Sequence, residues 1–191
     1  MEPNWNRLDE QVKFYLPVVV VVALIAVLVT GLVTAPVRRV KGYSPVQPIS
    51  YSHQLHAGQM RLDCRHCHLG AEVSRHASVP SVASCMNCHN AAVTDRPGVV
   101  RLRDAAARGE RLLWKRVHKL PDFVYFAHMV HVRAGIGCEN CHGNVRQMAV
   151  MTQAASLSMG ACLDCHRNAH ERVPGSQATL IGPENCSACH R

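Results

Sequence analysis

The chain has 191 residues and a formal charge of +8, with ten cysteines, thirteen histidines and an aromatic content of only 5%. So few aromatic residues give little with which to build a conventional core, and the cationic residues lack the aromatic interleaving of a nucleic-acid surface. A disulfide framework is excluded by spacing, because every cysteine falls in a Cys-x-x-Cys-His unit.

Residues 1–15 read as a cytoplasmic segment and residues 16–35 as a transmembrane anchor. Leu16 to Val33, LPVVVVVALIAVLVTGLV, holds no charge over 18 residues, and as a helix it spans about 27 Å, enough for a hydrocarbon core. Pro17 is expected in the first turn, where a missing N–H costs little. The rival is a cleaved signal peptide, but the run exceeds a usual signal core and Thr34-Ala35-Pro36 makes a poor cleavage site. Arg7 and Lys13 precede the run and Arg38, Arg39 and Lys41 follow it, so charge alone leaves the orientation open.

Residues 36–94 form the first module. It holds Cys64, Cys67 and His68, then Cys85, Cys88 and His89. On a helical turn, positions i, i+3 and i+4 share one face. Two thiols can therefore grip one edge of a porphyrin through thioethers while the next residue reaches its iron, which is the attachment pattern of c-type haem. Zinc also takes Cys-x-x-Cys pairs, usually two per ion; five pairs cannot be matched evenly, and zinc does not explain a His after every pair.

Residues 95–117 contain no cysteine and many charges, and read as a linker with an amphipathic helical stretch from Val100 to Val117. Residues 118–191 form the second module. Its attachment units are Cys138, Cys141 and His142; Cys162, Cys165 and His166; and Cys186, Cys189 and His190, each 24 residues from the last. Five covalent haems are expected in all. Their propionates outweigh the iron charges, bringing the net charge to about +3 oxidised or −2 reduced.

Each iron needs a second axial ligand or an open position. Tyr51-Ser-His53-Gln-Leu-His56 precedes Cys64, and Tyr125-Phe-Ala-His128-Met-Val-His131 precedes Cys138. In each, a His-x-x-His pair shares a helix face, so one ring can serve the next haem in sequence and the other a haem packed alongside. His53, His56, His128 and His131 are candidate ligands, joined by His118, ten residues before His128. His76 reads as a solvated loop residue, His66 as pointing away inside its own unit, and His170 as a polar surface residue. Met148 is the leading methionine candidate, ahead of Met151 and Met159; methionine ligation would raise the potential of that haem.

The expected fold is mainly α and irregular, organised around haems and poorly folded without them. Haem is attached outside the bacterial cytoplasm, so the expected location is the inner membrane, single-pass, with the haem region in the periplasm.

The run VHKLPDFVYFAHMVHVRAGIGCENCHG, then SLSMGACLDCHR, resembles the pentahaem cytochrome c subunits of bacterial alternative complex III, and ISYSHQLHAG, CRHCH and VPSVASCMNCH are similar too. The likeness extends from Ile49 onward. It is shared more loosely with cytochromes of molybdopterin oxidoreductases and with class III multihaem modules. It implies an electron relay, not itself an enzyme, from a quinol-oxidising complex to periplasmic carriers or a terminal oxidase. The implied partners are quinol-binding polytopic subunits, an iron–sulfur subunit and a monohaem cytochrome. The family pattern matches His118 and both His-x-x-His pairs to axial ligands and tends to methionine at Met148. Ala169-His170 departs from the Pro-Glu of the family. Two other functions are weighed. A stand-alone quinol dehydrogenase needs a quinol pocket, and Val18 to Val29 offers no ionisable group to accept a proton. A catalytic haem enzyme needs an open iron position, which the number of candidate ligands does not require.

Overall fold

A computed structural model describes residues 5–34, 40–173 and 182–190. The Ala35-Pro36 junction, Arg38, Arg39 and the side chains of Arg7 and His170 lie outside the described residues. The chain divides into two units, one containing the N-terminal helix and the other running from Val40 onward.

Helix α1, Trp5–Thr34, is the first unit. It starts well before the apolar run, so Pro17 lies in its interior and not in its first turn. That corrects the sequence-based expectation: the ring removes a mid-helix hydrogen bond and favours a kink at this point. Asp9–Val33, 25 residues, is long and apolar enough to cross a membrane, and its side chains stand exposed along its length. Lys13 pairs with Asp9 one turn back, and Phe14 meets Tyr15 edge to face just before the charge-free run. Aromatic rings at this level suit a membrane–water interface.

The second unit is a series of short helices joined by irregular chain. In order they are α2 (Cys64–Cys67), α3 (Val82–His89), α4 (Pro97–Ala107), α5 (His128–Arg133), α6 (Glu139–His142), α7 (Met159–Arg167), α8 (Ala169–Arg172) and α9 (Cys186–Cys189). A π-turn at Gln54–Gln59 and a 3-10 turn at Val145–Gln147 complete the set. Among the described residues there is no strand, only one antiparallel bridge between Val124 and His190. Buried apolar side chains among them are confined to Ala71, Leu102, Ala105, Val117 and Val173. So small a core does not hold a chain of this size, and the missing apolar bulk is what porphyrins supply.

Local chemistry explains the short helices. Asp63 accepts from Arg65 N at the start of α2, Ser81 from Ser84 N at α3, and Ser158 from Ala161 N at α7. Each is an N-cap placed just ahead of an attachment unit. The linker helix is shorter than expected. It runs Pro97–Ala107, with proline at its start, and stops before Gly109 at φ +64°. Arg111 to Arg116 are not helical. Nor is α4 simply solvated: Leu102 and Ala105 are buried, the helix packs on α3, and Arg103 Nη1 donates to the carbonyl of Asn90 at 2.8 Å.

The two modules interlock. The π-turn packs on the 3-10 turn, where a Cβ on Gly58 would meet the Arg146 carbonyl oxygen at 2.3 Å. Arg146 Nη1 donates to the Ala57 carbonyl at 2.5 Å, and Gln54 N to Met148 O at 2.9 Å.

Candidate haem sites

Every Cys-x-x-Cys-His unit lies on or at a helical turn: α2, α3, α6, α7 and α9. The cysteines are free thiols, not disulfides. Thiols of different units approach one another. Cys85 and Cys88 lie near Cys67, Cys138 hydrogen-bonds Cys64, Cys141 faces Cys165 and Cys162, and Cys162 faces Cys189. Burial first, and then these neighbours, push the thiols of Cys67, Cys85, Cys138, Cys141 and Cys162 up from their ordinary range. The spatial order is therefore the unit at Cys85, that at Cys64, that at Cys138, that at Cys162 and that at Cys186.

The imidazoles pair across the spaces between these turns. Ring centres are 6.2 Å apart for His56 and His89, 6.4 Å for His128 and His142, and 6.2 Å for His131 and His166. Two metal–imidazole bonds of about 2 Å, added to the half-widths of two rings, put the centres about 6.3 Å apart. A metal held between two facing ring nitrogens would give this spacing. The rings are nearly parallel at His128–His142, 4°, and crossed at His56–His89, 63°.

The other ring nitrogens fix the tautomer. Nδ1 of His56 faces the Ser52 carbonyl at 2.9 Å, His68 that of Ser78 at 2.6 Å, and His89 that of Ala92 at 3.1 Å. His128 faces Arg75 O at 2.8 Å, His131 Ala127 O at 2.9 Å, and His166 Pro183 O at 2.7 Å. A carbonyl can only accept, so each Nδ1 carries the proton and each Nε2 keeps a free lone pair, the form a metal needs. His66 and His76 make no such bond. Around His166 the fit is close: a Cβ on Gly182 would meet the ring at 2.4 Å.

Burial keeps several imidazoles neutral. His53 is pushed down to about 4 by burial and then by His68 and His56. His142 is pushed down to about 4 by burial, then by His118, His128, His68 and His53, which places it between the modules. Burial also lowers His118 and His131. His53 Nδ1 and His118 Nε2 are buried with no hydrogen-bond partner. His118 meets His142 edge-on at 4.4 Å, too close for an iron between those two rings. Met148 Cε lies near Gly143, directly after His142. His190 stacks on Phe123 at 5.7 Å. Among the described residues no three His, Cys, Asp or Glu side chains converge on a point; the arrangement offers paired axial nitrogens and not a tetrahedral cage.

Two aromatic residues belong to these sites and were not singled out from sequence. Tyr51 stacks on His56 at 4.5 Å and meets His53 edge-on at 4.9 Å. Phe126 lies on His131 at 4.4 Å and meets His128 edge-on at 4.9 Å. Aligning the two segments on their histidines sets Phe126, not Tyr125, opposite Tyr51, and that register was the available signal. Tyr51 is pushed up to about 12 by burial, then by Cys67 and Cys85.

Residues 124–191 match the family model described as cytochrome c7 and related cytochrome c. Over 97 residues the chain is 33% identical to the menaquinone reductase, multiheme cytochrome c subunit, of Nitratidesulfovibrio vulgaris; the stretch covers 50% of this chain and 45% of that one. The chain thus spans about half the length of the relative it matches. It carries a multihaem cytochrome c domain, with covalently bound c-type haem and a part in electron transport, and one helix able to anchor it in a membrane.

Proposed function

We propose that the chain is a membrane-anchored pentahaem cytochrome c that relays electrons from a quinol-oxidising complex of the alternative complex III kind to periplasmic carriers or a terminal oxidase. The observation that carries this is the set of three imidazole pairs 6.2–6.4 Å apart, each joining a histidine of an attachment unit to one of a His-x-x-His pair. Each attachment unit would hold one haem through its two cysteines, with His68, His89, His142, His166 and His190 as the histidines that would bind the irons. His56, His128 and His131 would be the second histidines paired with His89, His142 and His166, and His53 that paired with His68, the histidine that acts on it most strongly. Of the remaining candidates, His118 keeps a buried Nε2 without a hydrogen-bond partner and meets His142 edge-on, and Met148 lies beside Gly143, so both belong to the surroundings of His142.

Bound haem supplies one-electron exchange at its iron. The chain's own residues do the rest. The carbonyls behind six rings fix the Nδ1–H tautomer and the direction of Nε2, and the thiol-to-thiol order sets the sequence of sites. If each iron took a second histidine or Met148, no open position would remain for a substrate, which favours relay over catalysis. In this reading residues 1–15 are cytoplasmic, 36–94 form a dihaem module and 118–191 a trihaem module, with the haem region on the periplasmic face. Quinol-binding polytopic subunits, an iron–sulfur subunit and a monohaem cytochrome are its partners. The name of the matched relative favours a second reading, with the same relay running toward menaquinone.

A pyridine haemochrome assay on the purified chain is expected to give five haems. Mixing it with a menaquinol analogue is expected to leave the haems oxidised while dithionite reduces them all. Rapid reduction by the quinol alone would replace the relay with a stand-alone quinol dehydrogenase.

A further inference from the structure

The non-helical segment after α4 has a composition that its own fold does not use. Leu113 is 81% exposed, flanked by the exposed Arg111, Lys115 and Arg116. Arg101 and Arg103 stand exposed on α4 just before it. The acidic groups in this stretch are Asp104 and Glu110, and Glu110 is already held by Arg108 at 2.6 Å. An exposed apolar residue flanked in sequence by exposed cations that outnumber the nearby acids has the make-up of a docking surface for an acidic partner.

The segment is also fixed in place. Gln47 grips the backbone of Lys115 from both sides, with Nε2 donating to its carbonyl at 2.9 Å and Oε1 accepting from its N–H at 2.9 Å. Trp114 meets Tyr51 edge-on at 6.3 Å, and Tyr51 stacks on His56. Arg103 Nη1 reaches the carbonyls of His89 and Asn90. The cationic strip therefore covers the His56–His89 site, and the unit at Cys85 is one end of the spatial order of units. A relay must exchange electrons at its ends.

We propose that this strip, with Leu113 at its centre, docks an acidic soluble redox protein that takes electrons from the chain at the His56–His89 end. The proposal rests on the relay reading above. One electron leaves the reduced site and one reduces the partner's one-electron centre; no proton moves and no bond changes. An anionic lipid surface would also attract cations, but it would have no use for a ring contact leading from the strip to an iron-ligand pair.

The test uses the full chain in detergent, reduced with dithionite, freed of excess reductant and mixed in a stopped-flow instrument with hexacyanoferrate(III). Oxidation is expected to be fast at low ionic strength and to slow as salt is added. The double variant Arg111→Glu with Lys115→Glu is expected to be about tenfold slower at low salt and to converge with the parent at high salt. Basic horse-heart cytochrome c as acceptor is expected to show the reverse order. A charge-matched control, Lys41→Glu with Arg61→Glu, is expected to behave as the parent. Equal slowing in the control, or no slowing in the double variant, would overturn the proposal. So would an effect seen only in phosphatidylglycerol nanodiscs and not in detergent, which would assign the strip to lipid. A parent chain holding fewer than five haems would strike at the relay reading instead, leaving the comparison of variants still able to judge the surface.

Discussion

The two His-x-x-His segments begin alike and end in different surroundings. In both, an aromatic residue two positions before the first histidine covers the pair, Tyr51 over His53 and His56, Phe126 over His128 and His131. In both, the second histidine bonds a carbonyl four residues back, Ser52 O for His56 and Ala127 O for His131, each at 2.9 Å. The first histidines differ. His128 Nδ1 reaches Arg75 O in the other module, across 53 residues of sequence, whereas His53 Nδ1 is buried without a partner. The local half of the device is built from the segment itself, and the non-local half is supplied only where another loop arrives. His128 thus depends on the first module for its orientation, while the second histidines depend on nothing outside their own turn.

Removing the shared half should have the largest effect. His56→Ala and His131→Ala are each expected to convert one haem from low-spin to high-spin with the haem content unchanged, as read by EPR and by pyridine haemochrome. His118→Ala is expected to do the same to a third haem. An unchanged low-spin spectrum would take His118 out of the ligand set, and a Met–iron(III) charge-transfer band in the near infrared would put Met148 in its place.

The interlock between modules comes next. A Cβ on Gly58 would meet backbone, the Arg146 carbonyl oxygen, which cannot swing aside as a side chain could. Gly58→Ala is expected to cost about 2–3 kcal/mol, seen as a lowered thermal midpoint of the haem-loaded protein, with the His128–His142 spectrum altered because Arg75 O is displaced from behind His128. A stability loss that leaves that spectrum untouched would mean that His128 holds its orientation without the first module.

What could be seen in the sequence divides along the same line. The attachment units and the His-x-x-His pairs are patterns set within a few residues and legible in the sequence, whereas the N-caps Asp63, Ser81 and Ser158, equally local, emerge from the structure. Arg75 was not legible, because its part is played by a backbone carbonyl that any residue could present; only the path of the loop brings it to His128. The start of the first helix at Trp5 is not marked by the charge-free run, because the polar turn from Asp9 to Lys13 ahead of it is helical too. The linker helix was drawn too long because Arg/Leu alternation continues past Gly109, where the backbone turns left-handed.

The smallest expected effect sharpens the comparison most. Tyr51→Leu and Phe126→Leu each remove a stacked ring from a histidine while keeping apolar volume, at a cost of about 1 kcal/mol apiece. If the aromatic residue merely fills space, the two changes should be equivalent and spectrally silent. The second histidines are held equally in both segments, but His53 lacks the bond that fixes His128, so its edge-on contact with Tyr51 is its main restraint. Tyr51→Leu is therefore expected to broaden one low-spin EPR signal, that of the haem proposed for His53 and His68, while Phe126→Leu leaves that of the haem proposed for His128 and His142 sharp. Equal broadening in the two variants would mean that the carbonyl of Arg75 contributes nothing beyond what the ring already provides.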